Sequence, residues 1–534
     1  MPLLTIDDKQ IEVAPGTTII QAAEKLGIYI PRYCYHPGLS IAGSCRMCMV
    51  EVEKQPKLQI SCHIAAADGM VVRTTTERVK QARQTILEFL LIGHPLDCPV
   101  CDQSGECDLQ NFYMDYGQYN SRFLENKPKK KKATPIGPTI ILDQERCILC
   151  SRCTRFTDEI THTHELGLFE RGDHSVIDLA PGKVLDNNYS GNVADICPVG
   201  ALTDRDFRFQ CRVGYLRQAD SIFLGCSRGC NIHVHYNDVK PYASGGRRVL
   251  RLKPRFNAEV NRWWMCDVGR YGYKSIDDDR ISESMQRTET GLERIDWDEA
   301  LERVALRLRE ALKKKGPGSI GVLLSPQLTN EDLYLAGKLF RDHLGVTQMD
   351  YETPGEPRFE GDDLLLKADR APNRTGARML GVRANGSVSE ALLEHARRGE
   401  LEVLVVFGLD LSHIRDLSEI ASKLRELIFV GSNYNATCDV ASLILAGAVY
   451  AEKEGTFTNF EGRVQKLTQA ILPLENALSE MEILVRLSKT LGHPLAFRQP
   501  EEVFQELAGR IEAFHGLDYE FLGPQGATAL VKIE

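Results

Sequence analysis

Fourteen of the sixteen cysteines stand in groups, and all fourteen fall before residue 267. Cys34, Cys45, Cys48 and Cys62 form one complete set, and Cys147, Cys150, Cys153 and Cys197 another. Between them come His94, Cys98, Cys101 and Cys107, where a histidine stands in for a missing fourth cysteine. Thiols at such spacings are soft ligands, suited to iron–sulfur clusters or to zinc, whereas a disulfide framework would need a secreted chain. Zinc is the serious rival, because C-x2-C also occurs in zinc knuckles. These sets are not pairs of C-x2-C facing each other, and their shapes favour clusters.

In the first set, C-x10-C-x2-C-x13-C, Gly43 and Ser44 precede Cys45-Arg46-Met47-Cys48. Small residues let a loop wrap closely with its N–H groups inward, and the set reads as a 2Fe–2S site. In the second, H-x3-C-x2-C-x5-C, His94 alone would be an ordinary histidine at a helix end. Beside three spaced cysteines it becomes the candidate fourth ligand of a 4Fe–4S cluster. A neutral imidazole in place of a thiolate should raise that cluster's potential, as in Rieske centres. The third set, C-x2-C-x2-C followed far on by Cys197-Pro198, reads as one further 4Fe–4S site to which Cys197 returns. A fourth group, Cys226-x3-Cys230 and then Cys266, is incomplete, because Phe223 occupies the place of its first cysteine. Three thiolates could hold a 3Fe–4S cluster, or a 4Fe–4S cluster with a foreign ligand such as Cys211. The favoured reading is a relic that is now structural, because a missing ligand leaves an iron open to water. Cys211 and Cys438 otherwise read as lone buried thiols. Three clusters in one chain, with no substrate-pocket motif, suggest a protein that moves electrons.

The elements that must position these loops follow from periodicity. A strand at Leu3–Ile6, a polar turn at 7–10, a second strand near Ile11–Val13 and a helix capped by Thr17 or Thr18 precede the first cysteine loop; a strand Cys48–Val52 runs through it. Glu77–Ile92 reads as an amphipathic helix stopped at Gly93, directly before the second set. Lys127-Pro128-Lys129-Lys130-Lys131-Lys132 reads as a solvated basic linker rather than a docking patch for an acidic partner. Beyond residue 275, Asp296-Trp297-Asp298-Glu299 resembles a capping box before a helix whose inner face is Leu301, Val304, Ala305, Leu308 and Leu312. Short apolar runs at Ser319–Leu324, Leu404–Phe407 and Leu427–Val430, separated by helical segments, imply a parallel α/β sheet. No G-x-G-x-x-G follows a strand and no G-x-x-x-x-G-K-[ST] occurs, so neither loop offers an NADH, flavin or ATP site.

At 534 residues the chain has room for several domains. Its net charge of −9 gives no case for nucleic acid. The start, MPLLTIDDKQ, lacks the pattern of a signal peptide, and the longest apolar stretch, Val440–Ala451, is too short to span a bilayer. A cytoplasmic protein is expected, with any membrane attachment made through partners.

Three motifs, Ser44-Cys45-Arg46-Met47-Cys48, His94-Pro95-Leu96-Asp97-Cys98-Pro99-Val100-Cys101 and Asp195-Ile196-Cys197-Pro198-Val199-Gly200-Ala201-Leu202, closely resemble the cluster loops of one family. That family is the large iron–sulfur subunit (the G-subunit in bacteria) of the NADH-dehydrogenase arm of respiratory complex I. Cys226-Ser227-Arg228-Gly229-Cys230-Asn231, Cys266-Asp267-Val268-Gly269-Arg270 and the stretch 451–465 resemble the related molybdopterin oxidoreductases. The resemblance implies a multidomain α/β chain. A β-grasp 2Fe–2S ferredoxin-type domain is expected at 1–80, a 4Fe–4S segment with one histidine and three cysteine ligands at 81–122 and a basic linker at 123–137. A 4Fe–4S ferredoxin-type domain follows at 138–215, a degenerate Mo/W bis-MGD-type 4Fe–4S domain at 219–275 and a molybdopterin-oxidoreductase-like α/β scaffold at 276–534. It also implies a subunit that receives electrons from a flavin- and NADH-binding partner and passes them, with other hydrophilic subunits, toward quinone. It would lie on the cytoplasmic face of the inner (plasma) membrane, held there by the complex. No molybdenum is expected, because the stretch Val346–Arg358, where molybdenum relatives carry a metal-ligating residue, has no cysteine, and a cap domain has no room after the Gly455 loop. The alternatives are the iron–sulfur subunit of a soluble NAD-linked hydrogenase or formate dehydrogenase, and a molybdopterin enzyme in its own right.

Overall fold

A computed structural model describes residues 1–238, 240–351, 357–382 and 388–530. The chain forms two compact units, Met1–Leu216 and Arg217–Glu534. The stretch 346–358, read above for its lack of cysteine, lies partly outside the described residues.

The first unit opens on a hairpin of β1 (Leu3–Ile6) and β2 (Lys9–Glu12). The turn is tighter than the sequence suggests. Asp7 and Asp8 both take positive φ, at 44° and 69°, so two residues close it and the second strand begins at Lys9. Helix α1 (Ile19–Lys25) follows, with the Thr18 N–H donating to Gln21 Oε1 at 3.0 Å. Strands β3 (Met49–Val52), β4 (Gln59–Ile60) and β5 (Val71–Arg73) complete a sheet of order β2-β1-β5-β3-β4, in which β1 and β5 run parallel. Its core joins Leu4, Ile6, Ile19, Ile20, Val50 and Val72 to the buried Cys48 and Cys62. The first cysteine loop is therefore tied to the strongest part of the sheet.

Helix α2 (Glu77–Gly93) is capped by Thr76, whose side chain accepts from the Val79 N–H, and ends at His94. Helix α3 (Asp108–Tyr116) starts directly after Cys107. Strands β6 (Thr134–Pro135) and β7 (Ile140–Leu142) lead to α4 (Arg152–Glu159), which carries Cys153 in its first turn. A hairpin of β8 (Leu166–Phe169) and β9 (Val176–Leu179) precedes α5 (Asn192–Ile196), and Cys197 caps that helix before β10 (Leu202–Asp204) pairs with β7. The basic run is exposed at Pro128, Lys129, Lys131 and Lys132, as a solvated linker should be, yet several of its lysines are anchored. Lys132 pairs with Asp97, Asp143 and Glu145, Lys131 lies 3.6 Å from Asp178, and Lys127 Nζ donates to the backbone oxygens of Leu91 and His94. These acidic partners are scattered in sequence, so the segment's anchoring is invisible until the chain folds.

In the second unit β11 (Arg217–Ile222), β12 (Asn231–Tyr236) and β13 (Val249–Pro254) form an antiparallel sheet, and α6 (Asp267–Tyr271) starts at Cys266. The larger body is a seven-stranded sheet. Five strands are parallel: β16 (Ile320–Leu324), β17 (Gln348–Asp350), β18 (Val403–Phe407), β19 (Glu426–Gly431) and β20 (Leu443–Ala446). The hairpin β14 (Met285–Thr288) and β15 (Gly291–Arg294) extends it antiparallel beyond β20. Successive residues of β18 serve opposite cores. Val405 joins Val304, Leu308 and Leu484 on one face, while Val406 joins Leu392, Leu393 and Ile420 on the other. Helix α7 (Trp297–Lys315) buries the predicted stripe, with Leu312 only half-buried, but Asp296 makes no side-chain cap hydrogen bond.

The turn into helix α8 (Asn330–Ala336) meets β21 (Gly455–Thr458), which pairs with β22 (Arg463–Leu467). Gly455 is required there, because a Cβ would stand 2.5 Å from the Thr329 methyl. Glu331 accepts from the Thr456 N–H at 2.8 Å and from the Tyr519 hydroxyl at 3.0 Å, and burial raises its carboxyl to about 7. Close by, the Lys453 ammonium is buried between Asp332 and Glu480. Burial opposes its charge, but the two carboxylates outweigh that and keep it protonated. Lys453→Met leaves both carboxylates buried without their cation. It should cost about 3–5 kcal/mol, read by denaturant unfolding through Trp263, Trp264 and Trp297, which all lie in this unit.

Candidate metal centres

Every thiol of the first set lies on or beside the β-grasp sheet. Cys34, Cys48 and Cys62 are buried and Cys45 half-buried. The Cys34 N–H donates to Cys45 Sγ at 3.4 Å, and the Ser44 N–H and hydroxyl bond the Cys34 sulfur. Positive φ at Gly43 and Arg46, both 60°, curls the loop so that such N–H groups face sulfur. The thiols bond in two pairs. Cys45 lowers Cys34 to about 5 and Cys62 lowers Cys48 to about 6, while Cys45 and Cys62 keep their protons. Four sulfurs within one another's fields, beside inward N–H groups, fit a 2Fe–2S cluster.

His94, Cys98 and Cys107 line one cavity of about 650 Å3, with Phe89, Ile92 and Leu109 among its apolar walls. Cys101 is buried beside them and lies so close to Gly200 that a Cβ there would stand 2.4 Å from its sulfur. Burial lowers His94 to about 4, so the ring is neutral at pH 7, and its Nδ1 accepts from the Leu96 N–H at 3.2 Å. A neutral ring with three thiols beside a roomy cavity suits a larger cluster.

The third set shares one small apolar cavity, lined by Cys147, Cys150, Cys153 and Cys197 with Leu142, Ile177 and Leu202. Leu149 and Ser151, at φ 56° and 58°, turn the loop left-handed between the cysteines, and the Leu149 N–H donates to Cys147 Sγ at 3.4 Å. The apolar surroundings push Cys147 and Cys197 up to about 12 and raise Cys153 well above the ordinary thiol range. Loading iron must therefore displace protons. Among the described residues no three His, Cys, Asp or Glu side chains converge as ligands of a single ion do. In the third set they surround a shared space instead.

Several positioning groups have no signal in the cysteine spacing. Arg155 donates to the backbone oxygens of Cys34, Ser40, Cys150 and Ser151, joining the first and third loops. Arg152 does the same through Tyr35 O at 2.7 Å and Ile196 O at 3.0 Å. Arg146 forks onto Asp97 at 3.0 and 2.7 Å, and the Asp108 N–H donates to Pro198 O at 2.9 Å; both join the second loop to the third. Tyr33 packs on Phe112 at 5.2 Å, and its buried hydroxyl has no protein partner, in the field of Asp108, Cys107 and Cys45. A donor left over beside the thiols is what cluster sulfides would accept from. Of the remaining thiols, Cys211 and Cys438 are buried, as expected.

Known proteins share these regions. Family models match at residues 3–77 (2Fe-2S iron-sulfur cluster binding domain), 83–122 (NADH-ubiquinone oxidoreductase-G iron-sulfur binding region) and 137–203 (NADH-quinone oxidoreductase subunit 3, ferredoxin-like domain). Residues 280–361 and 365–490 match the molybdopterin oxidoreductase model. The NADH-quinone oxidoreductase G-subunit of Rickettsia bellii is 36% identical over 85% of this chain and 66% of its own length. That of Rickettsia felis is 31% identical over 96% of this chain and 91% of its own. A solved NAD+-reducing NiFe-hydrogenase chain, 34% identical over 40% of this chain and 91% of its own, superposes with a TM-score of only 0.37.

Two variants read the electrostatics of these centres. Arg155→Met removes one positive charge shared by the first and third loops. It should lower the midpoint potentials of clusters held by those two sets by tens of millivolts, the scale of one charge at about 10 Å in a medium of effective dielectric near 20, and leave one held by the second set unmoved. If the His94 ring is a ligand, His94→Cys would exchange a neutral ligand for a thiolate and should lower the potential of a cluster held by the second set alone, by roughly 100 mV. EPR-monitored redox titration resolves both.

Proposed function

The chain belongs to the G-subunit family of NADH-quinone oxidoreductase, and from that premise we propose that it conducts electrons between a flavin-bearing partner and the quinone-reducing part of the complex. Cys34, Cys45, Cys48 and Cys62 would hold one 2Fe–2S cluster. His94 with Cys98, Cys101 and Cys107, and Cys147 with Cys150, Cys153 and Cys197, would each hold a 4Fe–4S cluster. When bound, such clusters take up and release single electrons. This chain's residues hold them close, shield them from water and set their potentials.

One observation carries the reading: three complete ligand sets lie within one compact unit, the third loop fastened to the first by Arg152 and Arg155 and to the second by Arg146. Electron tunnelling weakens steeply with distance, so rigid, close packing is what such a conductor needs. The six-part domain division set out from the sequence belongs to the same proposal, with residues 276–534 as a scaffold free of molybdenum. Among the described residues no helix is long and apolar enough to cross a membrane. Attachment to the cytoplasmic face of the membrane would run through partner subunits. The hydrogenase and formate dehydrogenase alternatives are less favoured, because the G-subunit relatives match the second unit as well as the first.

The test is metal and sulfide analysis with low-temperature EPR on the anaerobically purified chain. The expected result is about 10 irons per chain, one 2Fe–2S and two 4Fe–4S signals, no molybdenum, and no NADH oxidation without the flavin partner. Zinc with little iron, or NADH oxidation by the isolated chain, would overturn the proposal.

A further inference from the structure

The resemblance of residues 219–275 to a cluster-bearing domain implies a fourth iron site at Cys226, Cys230 and Cys266. The residues present do not fit one. All three thiols are buried, but so is Phe223, 7% exposed, at the position of the missing ligand. Its ring is seated on bare glycine backbone. A Cβ at Gly225 would stand 2.2 Å from the ring, at Gly272 3.0 Å, and at Gly269 3.4 Å from both the ring and Cys266 Sγ. The ring and the Cys266 sulfur thus both border Gly269. The same ring packs in one apolar cluster with Cys230, Ile232, Val234, Met265 and Tyr273.

The backbone around these thiols is also committed. A cluster loop turns its N–H groups toward sulfide. Here the Ser227 N–H donates to Asp369 O at 2.9 Å, the Gly229 N–H to Cys226 O at 3.3 Å and the Phe223 N–H to Cys230 O at 2.8 Å. Gln465 and Asn459 donate to the oxygens of Gly229 and Arg228, pinning the loop in this form. The Gly269 N–H donates to Cys266 Sγ at 3.3 Å.

We infer that the Phe223 ring is a built-in plug, filling with aromatic carbon the space a cluster would take, so that Cys226, Cys230 and Cys266 remain metal-free thiols packed as apolar residues. The three glycines that seat the ring make this a formed site and not a loose remnant. The inference rests on the proposed clusters of the first unit only for the baseline against which iron is counted.

The experiment compares iron, acid-labile sulfide and EPR for the full chain, Cys226→Ser and Phe223→Cys, each purified anaerobically and checked for folding by its thermal melt. Cys226→Ser should leave iron and every EPR signal unchanged. Phe223→Cys, which removes the ring and restores a fourth thiol, should gain roughly 4 irons and one new 4Fe–4S signal. A loss of roughly 3 to 4 irons in Cys226→Ser, or a folded Phe223→Cys with no gain, would overturn the inference. If Phe223→Cys does not fold, the serine comparison decides alone. A chain that binds no iron at all would instead refute the cluster-conductor reading of the first unit, a distinct result.

Discussion

Desolvation of sulfur is the constraint on which the first unit depends. A thiolate is a charged ligand, and an apolar pocket disfavours its charge. The third set shows the consequence most strongly, with Cys147 and Cys197 pushed up to about 12. The first set divides its protons between two bonded pairs. Metal entering such a pocket would have to replace those protons. What compensates for burial is local: N–H groups aimed at sulfur, as from Leu149 and Ser44, and guanidinium groups one layer out, as from Arg152 and Arg155.

Those arginines serve two ends. Their donors satisfy carbonyl oxygens that the curled cysteine loops leave without helix or sheet partners. Because the carbonyls belong to loops more than one hundred residues apart, the same bonds hold separate ligand sets at a fixed spacing. A lysine in either place would offer a point charge in place of a planar fork and could not bridge as many oxygens at once. Positioning and electrostatic tuning are thus one structural device.

Much of this was legible in the sequence, and the limits have physical causes. Ligand types and spacings are local, so Cys147-x2-Cys150-x2-Cys153 and the helix from Glu77 could be read directly, the helix to within one residue at its end. Three of the five parallel strands, β16, β18 and β19, were visible as apolar runs, though each begins or ends a residue away from its sequence reading, and β17 and β20 were not read. The antiparallel hairpin β14–β15 was not, because MQRT and GLER are half exposed and carry little apolar signal. Nor could the anchoring of the exposed lysine run be read, since its carboxylate partners at Asp97, Asp143, Glu145 and Asp178 assemble only in the fold. Arg155 is silent for the same reason: its partners at Cys34 and Ser40 lie on a loop that sequence spacing does not bring to it.

The contrast between the third and fourth cysteine groups shows what spacing alone leaves undetermined. Both offer closely spaced thiols on a turn before or around a short helix, the fourth group buried throughout and the third with Cys153 and Cys197 buried and Cys147 and Cys150 half-buried. Around Cys147 the turn is left-handed at Leu149 and Ser151, an N–H points to sulfur, and the thiols face a shared cavity. Around Cys226 the N–H groups are bonded to carbonyls, and an aromatic ring and the last thiol both border Gly269. Ligand identity is thus necessary for a cluster but not sufficient, because the deciding quantities are free volume and the direction of a few backbone amides. Both are set by residues, such as Phe223 and Gly272, that carry no metal-binding chemistry of their own.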